Sequence, residues 1–245
     1  MPNTGKTYHH SWAFGSILSE MGSHHLEYVY LSDMSGDKRF RDHAFLIRNL
    51  LDRTEKPNGL YMTMMDSSLG RWNENKSTLG ALGDSFFEYL IKAYIQSRHR
   101  DQTAIRMYKE AMDAVERNHL LNVSRSGLLY IADWIFGKPN NKMQHLTCFA
   151  GGMFALGAHH MQMDLNAQMV VNTNNNNNNN KEDTDRISRH FTIGINVTET
   201  CFQSYNRTPT ELGPESFFFD EEDDATNRNG DMYILRYIVK FANNN

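Results

Sequence analysis

Twice along this chain one helical pattern is followed by a second and then by a short run of turn and strand signals, and a third round begins. Leu18, Met21, His25 and Tyr28 fall at steps of three and four residues, as do Phe40, Ala44, Ile47 and Leu51. That spacing puts each set on one side of an α-helix. "KPNG" at 56–59 marks a turn, and "GLYMTMMDSSLGRW" at 59–72 reads as a short hairpin. The second round opens at "GDSFFEYLIKAYIQS", where Ser85 and Glu88 have the spacing of a capping box. Phe87, Leu90, Ile91, Tyr94 and Ile95 give that helix one apolar face, and Ile105, Tyr108, Met112 and Val115 mark its partner. "GLLYIADWIFGKPNN" at 127–141 again reads as a hairpin, and "KMQHLTCFAGGMFALGAHH" at 142–160 begins a third round as a helix. Glu20, Asp84 and His145 hold corresponding places, 64 and 61 residues apart. Helix pairs at so long a period fit an α-solenoid or a closed α/α barrel. The hairpins after each pair favour the barrel, because open solenoids have shorter and more uniform repeats.

At 245 residues the chain is long enough for a substantial core. Its net charge of −4 and pI near 6.2, with basic residues scattered, argue against a nucleic-acid partner. No apolar run reaches the roughly 18 residues that a membrane helix needs, and no signal peptide opens the sequence. The start, MPNTGKTYHH, reads like the interior of a longer protein. Asn-x-Ser/Thr sequons begin at Asn75, Asn122, Asn196 and Asn206. They lend weak support to a secretory route, on which the two cysteines, Cys148 and Cys201, would be read as one disulfide; in the cytosol they would be free thiols.

Other features invite plain readings. The pair Gly151–Gly152 lies inside a helical pattern, where each glycine costs about 1 kcal/mol relative to alanine; close packing against a neighbour is the natural compensation. "VVNTNNNNNNNKEDTD" at 170–185 is too polar to order itself and is expected to be a disordered surface loop. "YIVKFANNN" at the end is strand-like and closes nothing. The pairs His9–His10, His24–His25 and His159–His160 lack i, i+4 metal spacing. "DEEDD" at 220–224 lacks the ligand alternation of a calcium loop and is assigned no ion.

Five stretches carry a resemblance: "LGDSFFEYLIKAY", "HLTCFAGGMFALGA", "CFQSYNRT", "LGPESFFF" and "YILR". In this order they resemble motifs of glycoside hydrolase family 47, the class I α-1,2-mannosidases, and in flavour the Golgi members. The match runs from about residue 11 to 236. The resemblance implies an all-α fold, an (α/α)7 barrel with short β-hairpins between helix pairs, of which this chain is one incomplete catalytic domain. It implies inverting removal of α-1,2-linked mannose from high-mannose N-glycans with a calcium ion (Ca2+). It also implies a disulfide between Cys148 and Cys201, tying two consecutive helices.

Inverting glycosidases hold two carboxyl groups roughly 6.5–9.5 Å apart, with a water between one of them and the sugar. By itself Asp84 reads as a helix N-cap; by resemblance it is a catalytic carboxylate. Glu215 by itself is a solvated loop acid; by resemblance it handles protons, as the base that activates water. Glu20 and Glu27, seven residues apart on one expected helix face, read as surface acids. Glu20 matches a family acid lining the glycan cleft, and His145, otherwise a capping histidine, matches a residue of the same pocket. Leu82 stands where the endoplasmic-reticulum type carries arginine. Leucine cannot fork onto sugar hydroxyls, which implies broad trimming.

The family's general-acid glutamate belongs to an earlier helix than any here, and its calcium-binding threonine to a segment beyond Arg236. The metal ligands are therefore expected to lie outside this chain, which alone should be unstable and inactive. The membrane anchor of Golgi members would likewise lie upstream, leaving the catalytic part in the Golgi lumen. The alternative is a non-catalytic glycan-binding or scaffold relative.

Overall fold

The computed structural model describes residues 12–13, 15–66, 68–171, 178–219 and 231–234. β1 (Ser16–Ile17) leads into α1 (Leu18–Gly22), α2 (His25–Ser35) and α3 (Lys38–Arg53). β2 (Met64–Asp66), β3 (Arg71–Trp72) and β4 (Lys76–Ser77) precede α4 (Asp84–Gln96) and α5 (Gln102–Arg117). β5 (Leu121–Val123), β6 (Leu129–Ile131), β7 (Trp134–Ile135), β8 (Lys138–Pro139) and β9 (Lys142–Gln144) precede α6 (Phe149–Val171) and α7 (Asn178–Asn206). β10 (Ser216–Phe219) and β11 (Met232–Tyr233) follow.

The described chain is mostly helical. Three helix pairs, α2 with α3, α4 with α5 and α6 with α7, stand in a row, joined through contacts of α1 and α2 with α4 and of α4 with α6. Local chemistry sets their ends. Asp37 caps α3 by accepting from Arg39 N, and Asp101 caps α5 by accepting from Ala104 N at 3.0 Å. The faces read from the sequence meet in one apolar core that includes Leu51, Phe87, Leu90, Ile91, Tyr108 and Met112. Tyr61 and Phe86 fill its centre, ring centroids 4.7 Å apart. A buried ion pair, Arg48 to Asp101 at 2.7 Å, ties α3 to the start of α5.

The two expected hairpins form, β2 with β3 and β7 with β8, and β5 pairs with β6 in addition, all antiparallel. β9 pairs antiparallel with β10, far along the chain, with Gln144 opposite Ser216.

Several expectations change. The helix read from Lys142 begins at Phe149; residues 142–144 are strand and His145–Cys148 form a 3-10 turn, because β10 claims the segment's backbone. The first helix is broken after Gly22, so Glu20 and Glu27 belong to different helices rather than one face. A Cβ at Gly22 would lie 2.4 Å from the Phe86 ring, which keeps that position a glycine. The Ser85–Glu88 capping box does not form: Gly83 is the N-cap and Glu88 pairs with Lys92. Of the glycine pair, only Gly151 is packed, with a Cβ there 2.4 Å from Thr198 Oγ1, whereas Gly152 has nothing within 4 Å.

The expected loop at 170–185 is narrower on the described residues. Helix α6 runs through 171, α7 starts at 178, and Lys109 reaches Asp183 at 3.1 Å. Residues 172–177, "DEEDD", His9–His10 and "YIVKFANNN" lie outside the described residues.

Candidate active site

The loop 78–84, "TLGALGD", delivers two of the candidate residues to the start of α4. Thr78 Oγ1 donates to the Asp133 carboxylate and accepts from Gly80 N at 2.8 Å. Asp84 N donates back to Gly80 O at 2.9 Å. A Cβ at Gly83 would stand 2.2 Å from Thr78 O, so this tight winding requires glycine. Leu82 sits at φ 80°, a left-handed conformation that costs a non-glycine residue about 1 kcal/mol or more. Two contacts hold it there. Its carbonyl accepts from Ser19 N at 2.9 Å, beside Glu20 in the first turn of α1. Its side chain packs on the small apolar group of Ala13, Ile17 and Met64.

Gln144 ties this loop to the β9–β10 ribbon. Its Oε1 accepts from Ala81 N at 3.0 Å, and its Nε2 donates to Asp133 Oδ2 at 2.9 Å and Oδ1 at 3.1 Å. Asp133 is only 3% exposed, so its carboxylate depends on these donors. One residue further, His145 N donates to Glu215 O at 2.8 Å. The His145 ring meets the Tyr205 hydroxyl through Nε2, and the chain crosses this pair at Gly213. A Cβ at Gly213 would lie 2.6 Å from Tyr205 Cζ and 2.9 Å from His145 Nε2, so only glycine passes.

The five sequence-derived candidates therefore fall into two groups. Glu20, Leu82 and Asp84 are joined through α1 and the loop; His145 and Glu215 are joined through the ribbon; Gln144 connects the groups. Asp84 is half-buried and is not the N-cap, being the first residue of α4; its Oδ1 accepts from Ser85 N at 2.8 Å. There the positive end of the helix favours a carboxylate. Glu20 and Glu215 are exposed, as suits groups that meet a ligand. Cys148 and Cys201 are joined in a disulfide, with Cα atoms 5.9 Å apart, linking the turn before α6 to α7.

Sequence reasoning missed Gln144, Asp133 and Thr78, which lack a motif of their own; only the fold brings residues 78, 133 and 144 together. Tyr205 and Gly213 lay inside quoted motifs without a role. Among the described residues no three His, Cys, Asp or Glu side chains converge where a metal ion could sit.

The family model described as "Glycosyl hydrolase family 47" matches residues 2–240. The chain is 40% identical over 234 residues to "Mannosyl-oligosaccharide 1,2-alpha-mannosidase IB" of Mus musculus, covering 95% of this chain and 33% of that protein. It is 42% identical over 230 residues to "Mannosyl-oligosaccharide 1,2-alpha-mannosidase IA" of Sus scrofa, covering 92% and 31%. The chain thus spans about a third of the length of these relatives. Among solved structures, "alpha-1,2-mannosidase from Trichoderma reesei" superposes with TM-score 0.67 at 24% identity, covering 85% of this chain and 39% of that one, a likeness of fold.

Proposed function

The chain belongs to glycosyl hydrolase family 47, and from that membership we propose that the protein removes terminal α-1,2-linked mannose from high-mannose N-glycans with inversion. The names of the relatives, all mannosyl-oligosaccharide 1,2-α-mannosidases, support the reaction and substrate. The observation that carries the site is the Gln144 bridge, which joins the loop bearing Asp84 to the ribbon bearing Glu215 and His145.

In this reading Glu215 takes a proton from the attacking water, Asp84 is a further catalytic carboxylate beside the sugar, and the proton donor to the leaving oxygen is supplied by a segment outside this chain. Glu20 and His145 bind the glycan, with Tyr205 fixing the His145 ring. Leu82 presents an apolar side chain to the branch, so trimming is broad. Calcium would be held by residues outside this set. The row of three helix pairs is part of an (α/α)7 barrel. The exposed Phe191, Ile195 and Phe202 on α7, and Tyr30 and Met34 on α2, are faces that neighbouring barrel helices would cover. The disulfide supports a secretory location, taken here as the Golgi lumen with a membrane anchor elsewhere in the protein. Among the described residues no helix is long and apolar enough to cross a membrane.

The test is incubation of the full-length protein with a high-mannose N-glycan, followed by chromatography of the glycan and proton NMR of the released sugar. β-Mannose should appear first. Glu215→Gln and Asp84→Asn should each lower kcat by about 100-fold or more, the scale of a lost proton-transfer group. Release of α-mannose first, or full activity in both variants, would refute the assignment.

A further inference from the structure

The four Asn-x-Ser/Thr sequons, at Asn75, Asn122, Asn196 and Asn206, are sorted by the fold. Asn122 is half-buried in β5, and its Nδ2 donates to His119 O at 2.9 Å. Asn206, the last residue of α7, stands one turn beyond the exposed Phe202, on the stripe that neighbouring barrel helices would cover. Asn75 is exposed between β3 and β4, in a connection where asparagine is an ordinary residue. Asn196 differs from all three. It is exposed in the interior of α7, and its side chain has no hydrogen-bond partner among the described residues.

The other two residues of this sequon have structural roles. Val197 is fully buried in the core. Thr198 Oγ1 donates to Gly194 O at 2.8 Å and is the atom that a Cβ at Gly151 would meet. Asparagine at 196 has no such return. It is a poor helix former, because its amide competes for the backbone, and no contact offsets that cost. Helix geometry sets Asn196 about 100–140° round α7 from Phe191, Ile195 and Phe202, the exposed apolar residues. It belongs instead to a polar stripe with Thr192, Glu199 and Gln203, in which Gln203 Nε2 donates to Glu199 Oε1 at 2.8 Å. That stripe faces water.

We infer that Asn196 carries an N-linked glycan, an inference that rests on the secretory reading given above. Its Nδ2 attacks C1 of the N-acetylglucosamine at the reducing end of a lipid-diphosphate-linked oligosaccharide. The bond from C1 to the diphosphate oxygen breaks, and the amide proton goes to the departing lipid diphosphate. A glycosyltransferase makes this transfer on the growing chain, before α7 winds and engages Thr198 Oγ1 with Gly194 O. The protein then bears on α7 a glycan of the class that the proposed activity trims. Nine residues, roughly 14 Å of helix, separate it from Tyr205 at the candidate site.

The test expresses the full-length protein in eukaryotic cells and treats its tryptic peptides with a peptide N-glycosidase in heavy-oxygen water, which leaves labelled aspartate wherever a glycan stood. Position 196 should carry the label, and fragmentation separates it from Asn206 on the same peptide, 190–207. Asn196→Gln and Thr198→Ala should each remove the mass of one glycan from the intact protein, and Thr198→Ser should retain it. The parental peptide gives the deciding reading, so the test holds even where a variant fails to fold. Thiol labelling before reduction reads the disulfide. An unlabelled Asn196 in protein whose Cys148–Cys201 bond has formed overturns the inference and leaves the secretory reading standing. An unlabelled Asn196 in protein with both thiols free overturns the two together.

Discussion

Replacing Gln144 by methionine keeps the side chain's length and removes its amide. The change deletes the acceptor for Ala81 N and the two contacts to Asp133, while leaving Asp133 buried with Thr78 as a remaining donor. A neutral hydrogen bond is worth about 1 kcal/mol and one to a charged group about 1.5–3 kcal/mol, so the loss should be about 3 kcal/mol. In a protein about three times this length the Tm shift is correspondingly smaller, so the loss is read as unfolding free energy. Much of the cost is the carboxylate left behind, so adding Asp133→Asn should recover about half of the loss, and the four proteins form a double-mutant cycle. Ala81 lies three residues before Asp84, so kcat for mannose release should fall more than binding of the glycan. Urea unfolding and glycan trimming on the full-length protein provide both readings. A Gln144→Met protein with the parental unfolding free energy and kcat would refute the claim that this amide holds the site together.

Three further outcomes are expected. Gly151→Ala pushes a methyl group into Thr198 and the Gly194 carbonyl and should destabilise by about 1–3 kcal/mol, whereas Gly152→Ala meets nothing and should stabilise by about 0.5–1 kcal/mol; comparing their melting curves tests the packing of α6 on α7. Burial, with Arg48 adding to it, lowers the His25 pKa to about 4, and burial, with Arg186 next, lowers that of His190 to about 3. Both rings fold neutral, so their contribution is complete above the unfolded pKa of about 6.5 and is lost as pH falls towards 4 and 3. Unfolding free energy should drop by about 2 kcal/mol per histidine between pH 7 and pH 5, and a flat profile would contradict it. Leu82→Arg should narrow the set of mannoses removed, as seen by chromatography of partial digests; an unchanged branch order would remove the specificity role of Leu82.

What could be read in advance divides by sequence distance. Phe87, Leu90, Ile91 and Tyr94 revealed α4 because three- and four-residue spacing is a local signal, and the hairpins were legible from their turn residues. Lys142–Gln144 looked helical because their neighbours are, yet their partners are residues 216–218, more than seventy positions away. No local pattern announces such pairing. The break after Gly22 was hidden for a similar reason, since it depends on the Phe86 ring. Asp84, Glu215, Glu20, His145 and Leu82 came forward through the motifs around them, and their joining through Gln144 depends on the buried Asp133 meeting it in space. His25 read as one more position on a helix face, and only the fold sets it against Arg48.

The disulfide and the long contact between α6 and α7 together make this pair a closed covalent ring, sealed by sulfur at Cys148–Cys201 and by the backbone between the far ends. Proteolysis anywhere within the ring would leave the fragments attached until a reductant is added.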